Sequence, residues 1–366
     1  MTRDEACRKI GEAIAAYSHI GPLTACALYG NGHINDTFLA VTQTGRRYIL
    51  QRINYEVFPH PGQIMANIEG VTAHIRRRAE AAGEDPDRAT LTIVRCNDGK
   101  SFFTDSIGCS WRMYDFVEGT VARDRVENAD DFRACGKAFG RFQGLLCDYP
   151  AKDLYEAIPD FHNTPVRYEA LMRAARADAC DRVRTVEKEL EFVQKQSDFV
   201  KLLEQAHASG DLPLRVTHND TKLNNILFDA STGAPVCVID LDTVMPGYSV
   251  NDFGDSIRFG ANTVAEDDPH WERAALDTAL LEAYARGFLQ SYGNSLCRGE
   301  RELMMTGAMM MTLECGIRFL TDYLEGDHYF RIHRPTHNLD RCRTQLALFA
   351  DMEKKRLQTE KLLKAL

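Results

Sequence analysis

No apolar run in this chain is long enough to cross a bilayer. The longest uncharged, apolar-rich stretch, Leu303 to Leu313, has 11 residues, against roughly 20 for a spanning helix. An excess of positive charge is lacking too. Lys and Arg number 44 against 53 Asp and Glu, a net charge of −9. That excludes a general nucleic-acid or anionic-membrane binder, either of which needs a basic face. Paired cysteines are missing. Eleven cysteines run from Cys7 to Cys342 without one C-x-x-C, as expected of free thiols in a reducing cytoplasm. Asp4 and Glu5 come early and no long apolar core follows, so neither a secretory signal nor a transit peptide is expected. There is no internal repeat and no low-complexity linker. What remains is ordinary globular composition, 44% apolar and 27% charged over 366 residues, with room for two domains or two lobes.

The hydrophobic period changes along the chain. Residues 4–18 place Ile10, Ile14 and Tyr17 at helical spacing. Residues 24–30, 36–42 and 46–53 read as strands, punctuated by Asn31-Gly32 and Thr44-Gly45. Residues 62–82 return to helix. Strand-like residues 90–96 and 111–117 flank Asn97-Asp98-Gly99. From about 128 the pattern is mainly helical, over 128–147, 165–209, 271–293, 300–325 and 339–364. One β-rich patch interrupts it, residues 224–242, where N-I-L-F-D and V-C-V-I-D flank the turn Ser231-Thr232-Gly233. The expected class is α+β. Residues 1–117 form a lobe with a five-strand sheet. Residues 118–366 form a larger helical lobe, with the connector near 116–120.

Immediately before that hairpin stands V-T-H-N-D-T-K-L-N-N-I-L-F-D, residues 216–229. Phosphoryl transfer from a nucleotide needs a phosphate cradle, a divalent metal, a carboxylate for the acceptor hydroxyl, and positive charge on the phosphates. Asp220 suits the carboxylate. Asn225, five residues on, offers an amide oxygen to Mg²⁺, and Asp240 a hard carboxylate to the same ion. Asp242 competes with Asp240, because strand alternation puts both on one face. Lys222 is a point charge for the γ-phosphate, and His218 a hydrogen-bonding anchor for the loop.

T-H-N-D-T-K-L-N-N-I-L followed by V-I-D-L-D-T resembles the catalytic and metal loops of the aminoglycoside phosphotransferase and choline kinase superfamily. Y-G-N-G-H-I-N, R-Y-I-L-Q, D-F-G-D-S-I-R-F-G-A and E-C-G-I-R-F-L-T-D-Y-L-E-G-D-H-Y-F extend the resemblance over nearly the whole chain, toward the N-acetylhexosamine 1-kinases within it. The resemblance implies a protein-kinase-like, two-lobe fold, ATP and Mg²⁺ as cofactors, and a small sugar as acceptor. Gly30, Gly32 and Asn35 then fall in a nucleotide loop, where glycine lets backbone N–H groups approach phosphate. Tyr114 to Val117, including Asp115, fall where backbone would pair with adenine. Gln51 stands where the kinase pattern has a lysine at the end of the third strand, with Glu69 as its candidate partner. Arg52 points to the opposite face. Lys222 and Mg²⁺ are therefore expected to neutralise the phosphates. Asp252 and Asp255 fall where the superfamily braces the catalytic loop; an ordinary helix N-cap is the alternative for Asp252.

The same resemblance implies that Arg318 and Tyr329 contact the sugar, with His33 joining them and Asp220 facing the reacting hydroxyl. The alternatives are a salt bridge from Arg318 to Glu314 or Asp322, at i−4 and i+4, and a core position for Tyr329. Five methionines between Met304 and Met311 read as core filler. Two other functions compete: a choline- or aminoglycoside-type kinase, whose cationic acceptor an arginine would repel, and a nucleotide-binding scaffold without turnover, which Gln51 alone supports.

Overall fold

The computed structural model describes residues 3–30, 34–123 and 125–366, with side chains from Lys9 onward. The chain forms two compact units. The first comprises Met1–Val121, Asp148–Pro159 and Leu227–Met245; the second comprises Ala122–Cys147, Asp160–Ile226 and Pro246–Leu366. The sequence reading draws one boundary after residue 117. The chain instead returns twice to the first unit: Asn67 holds the Tyr155 backbone there, and long-range strand pairing draws in the hairpin.

In the first unit, β1 (Leu23–Leu28), β2 (Asp36–Thr42), β3 (Arg47–Arg52), β4 (Ile93–Val94), β5 (Phe102–Thr104) and β6 (Ser110–Asp115) form an antiparallel sheet. The order is β1-β2-β3-β6-β4, with β5 also on β6. Five strands are expected and, among the described residues, six form; β5, three residues long, is too short to show a period. Alternation sends Phe38, Ala40, Tyr48, Leu50, Trp111 and Met113 into a core with Ala13 of the helix Arg3–Ala15 and Tyr17 just after it. The residues between them face the other way. On that face Thr37, Gln51 and Arg112 stand side by side on three neighbouring strands. Met65 of the helix Pro61–Ala81 lies against Arg112. The hairpin Ile226–Asp229 and Pro235–Val238 pairs with the strand Thr120–Ala122. The Asp229 carboxylate accepts from the N–H groups of Ser231 and Thr232 and shapes its turn.

In the second unit, helices meet through glycine. A Cβ on Gly136 of the helix Ala129–Leu145 would lie 2.2 Å from the Tyr284 carbonyl oxygen. One on Gly287 of the helix Thr278–Tyr292 would lie 2.1 Å from that of Arg133. The helices Ser249–Gly260 and Met304–Glu325 cross as closely. A Cβ on Gly254 would meet the Gly307 oxygen at 2.4 Å, and one on Gly307 the Val250 oxygen at 2.3 Å. Met304, Met305, Met309, Met310 and Met311 are all buried, as core filler should be. The long helix expected over 165–209 is instead broken into Thr164–Ala177, Glu187–Gln194 and Leu202–Ala208. Asp178 and Asp181 adopt left-handed backbone there, with φ of 41° and 52°, which ends a helix. Gly326, at φ 109°, stops the helix Met304–Glu325 where expected. Among the described residues no helix is long and apolar enough to cross a membrane. The ten cysteines whose side chains are described are free thiols.

Candidate active site

The second unit carries the loop that follows the strand Arg215–Thr217. Asn219 turns the chain with left-handed backbone, φ 64°, a conformation that asparagine tolerates. The turn is held from several sides. The Asp252 carboxylate, almost wholly buried, accepts from the N–H of His218 and of Asn219, both at 2.8 Å, and from Gln143 at 2.7 Å. Asp255 accepts from the Thr221 N–H at 3.0 Å and from Arg258. Asp252 therefore caps the loop rather than its own helix, whose N-cap is Tyr248. Gly254, between the two aspartates, lets the helix approach Gly307. His218 lies fully buried, edge-on to Phe139 and Phe142, and its Nδ1 accepts from the Asp220 N–H at 3.3 Å. Its burial makes it a positioning residue.

Asp220 is partly exposed, with both carboxylate oxygens engaged. Lys222 Nζ lies 2.7 Å from Oδ1, and Asn225 Nδ2 donates to Oδ2 at 3.2 Å and to the Asp220 carbonyl at 2.9 Å. Burial opposes the charge on Lys222, but Asp220 and Asp255 outweigh it and hold its pKa above the usual lysine range. The Asn225 amide commits its NH₂ group to Asp220, which leaves Oδ1 as its metal-type donor atom.

The first unit carries the remaining residues of the sequence reading. Asp240 has left-handed backbone, φ 59° and ψ 59°, and is exposed. It breaks the strand before Leu241–Thr243, so the alternation that would set Asp240 and Asp242 on one face does not apply. Asp242 is buried and ion-paired with Arg112. Its second oxygen accepts from Asn35 at 2.6 Å, and the Asn35 oxygen accepts from the Asn54 N–H at 3.0 Å. Asn35 is thus an internal tie. Burial opposes the charge on Arg112, but Asp242 overcomes it and pushes its pKa up.

Gln51 accepts from Arg112 Nε at 3.0 Å and donates to Thr37 at 3.0 Å. Glu69, expected as its partner, faces Arg95 at 3.3 Å; Arg112, cross-strand from Gln51, takes the place. Arg52 pairs with Asp36, with Nε at 2.8 Å from the carboxylate. Asp115 pairs with Arg46 at 2.9 Å, and the Val117 carbonyl accepts from Thr120 at 2.7 Å. Gly30 has φ 74°, as a tight turn requires. Gly32 and His33 lie outside the described residues.

The predicted acceptor residues belong to the second unit. Arg318 is half-buried among aromatic rings, 5.1 Å from the centroid of Phe161, 5.8 Å from Tyr329 and 5.6 Å from Phe330. Neither expected salt bridge forms. Glu314 is taken by His162 at 2.7 Å and by Thr164 at 2.6 Å. Asp322 accepts from the N–H groups of His328, Tyr329 and Phe330 and from Asn338. That cap folds the segment after Gly326 and presents Tyr329, 63% exposed and so no core aromatic. Arg112 and His162 escape the sequence reading. Arg112 is signalled only by a lone charge within W-R-M-Y, and His162 by nothing local.

A sequence profile of the phosphotransferase enzyme family matches residues 26–293. The fold is that of kinase-like phosphotransferases. A microcompartment-associated aminopropanol kinase superimposes with a TM-score of 0.59 at 15% identity, covering 97% of this chain and 98% of that one. An aminoglycoside phosphotransferase from Alicyclobacillus acidocaldarius gives 0.61 at 13%, covering 97% and 95%. A choline kinase from Cryptosporidium parvum gives 0.57 at 12%, covering 97% and 99%.

Proposed function

Because the chain belongs to the phosphotransferase enzyme family, we propose that it transfers the γ-phosphoryl group of ATP to the anomeric hydroxyl of an N-acetylhexosamine, GlcNAc or GalNAc. The sugar C1 oxygen forms the new O–P bond, the Pβ–O–Pγ bridge breaks, and the products are the sugar 1-phosphate, ADP and the hydroxyl proton. The observation that carries the acceptor class is Arg318, a cation among three aromatic rings with no carboxylate at ion-pair distance among the described residues, Glu314 acting on it only from a helical turn away. A fixed positive charge favours carbonyl and hydroxyl oxygens and repels an ammonium group. The exposed Tyr329 ring offers the flat face a pyranose stacks on.

Asp220 orients the attacking hydroxyl and receives its proton. An anomeric hydroxyl is acidic for an alcohol, so alignment is the larger part of that role. Lys222, one hydrogen bond from Asp220, is the point charge for the transferred group. Asp240 and Asn225 suit Mg²⁺: both are hard oxygen donors, and the competing Asp242 is occupied by Arg112 and Asn35. When bound, the ion neutralises phosphate charge. An amicoumacin kinase of the same fold was solved with AMP-PNP and Ca²⁺, which fits that donor set. Gly30, Gly32, Gln51, Asp115 and Val117 are the proposed nucleotide contacts, and His33 joins Arg318 and Tyr329 at the sugar.

ADP release with Mg²⁺-ATP across GlcNAc, GalNAc, choline, ethanolamine and an aminoglycoside tests the reading, and phosphorus NMR of the product locates the phosphate. Turnover confined to the amines would replace it with an amine kinase; none with any acceptor would favour a scaffold. Arg318→Ala is expected to raise the sugar KM about 10- to 100-fold, the worth of a charged hydrogen bond, with the ATP KM unchanged.

A further inference from the structure

We propose that His162, as an imidazolium, is a positioning residue that clamps the catalytic loop to the helix bearing Arg318, and that the loop is seated fully only while the ring keeps both protons. The inference rests on Asp220 being the carboxylate that meets the acceptor.

The peptide between Asn219 and Asp220 sets where the Asp220 side chain starts. Its N–H donates to His218 Nδ1 at 3.3 Å. Its carbonyl oxygen lies 3.1 Å from His162 Nε2. The other ring nitrogen, Nδ1, lies 2.7 Å from Glu314 Oε1. A backbone carbonyl and a carboxylate are both acceptors, so both ring nitrogens must donate, which an imidazole does only when doubly protonated. The remaining arrangement, with the proton on Glu314, is disfavoured. The second Glu314 oxygen accepts from Thr164 at 2.6 Å, and Arg318 stands one helical turn along; both stabilise the carboxylate.

The side chain of His162 is only 10% exposed and that of Glu314 1%, so water does not screen the pair. The charged groups around it are Glu314 and Arg318 from the helix Met304–Glu325, Asp255 from the helix Ser249–Gly260, and Arg167, which interacts with the first two, from the helix Thr164–Ala177. Burial and Arg318 work against a charge on His162, and Glu314 overcomes both. The clamp acts where the backbone is left-handed, at Asn219. There the Asp252 and Asp255 carboxylates hold only N–H groups, and His162 holds the carbonyl that they cannot.

The test is ¹⁵N NMR of the full chain labelled in histidine, with His162 assigned by the signal lost in His162→Gln. Both ring nitrogens are expected to be protonated at pH 7, and deprotonation to fall above the ordinary imidazole range. A bare ring nitrogen at pH 7 would overturn the proposal. That measurement needs no acceptor, so it stands apart from the failure of any sugar to react. In turnover with a reacting acceptor, His162→Gln is expected to lower kcat about 10- to 100-fold, the scale of a small misplacement of a reacting group, with the ATP KM within about twofold. It should also erase the alkaline limb of the kcat profile. Glu314→Gln, which keeps an acceptor but removes the charge, should move that limb to lower pH. An alkaline limb identical in wild type and both variants would sink the clamp.

Discussion

Asp220 is held between Lys222 and Asn225 before any substrate arrives. Its carboxylate is therefore preorganised rather than recruited on binding, which, under the proposed reaction, is how a weak base would contribute through geometry. Asp220→Asn is expected to lower kcat about 10²- to 10⁴-fold, the usual range for a positioned proton acceptor. ATP affinity by calorimetry should stay within a few-fold. Arg112 is the opposite case, a charge with no exposure and a structural duty. Its removal leaves Asp242 buried with only Asn35 to serve it. Arg112→Met should cost about 3–5 kcal/mol, as breaking one side of a buried pair does, measured by urea unfolding. Arg112→Met with Asp242→Leu should recover much of that loss.

At the scale of elements, close backbone approach matters more than side-chain size. The helix Ser249–Gly260 delivers Asp252 and Asp255 to the loop, and it sits where Gly254 and Gly307 allow. The obstacle to a Cβ at either position is backbone, which cannot swing aside. Gly254→Ala is expected to cost about 1–3 kcal/mol, the usual range for overpacking. It should also lower kcat more than Gly136→Ala does. Gly136 is as tightly packed, but against the helix Thr278–Tyr292, whose Tyr284 reaches the loop only at second hand, through Ser256. Comparing thermal unfolding with turnover for the two variants checks this. A D-F-G triplet in this chain is thus a packing device, and a motif reader would mistake it for a metal site.

For the molecule as a whole, the His162–Glu314 pair gives stability a pH window. The folded-state pKa of His162 is raised from its ordinary 6.5, so its contribution is complete below that value and fades as pH climbs through the folded pKa. That of Glu314 is depressed from 4.5, so its contribution is complete above 4.5 and fades as pH falls through the folded pKa. The two together are fully effective between those ordinary values. The stability difference between wild type and His162→Gln, from urea titrations, should be largest near pH 5–6 and shrink on both sides.

The linear order of residues determined a good deal. H-N-D-T-K-L-N-N fixes Asp220, Lys222 and Asn225 within six positions, so their contacts are short-range and a spacing rule captures them. The helix stop at Gly326 and the hairpin turn at Ser231–Gly233 are likewise local matters of backbone conformation. Tertiary structure alone decided the rest. Gln51 meets Arg112 across 61 positions, Arg112 meets Asp242 across 130, and His162 meets Glu314 across 152. Strand register and helix packing create these pairs, and neither is written in any window of the sequence. The Glu69 expectation failed for that reason. A charge missing from one strand was supplied by its neighbour in the sheet, which chain order places 61 residues away.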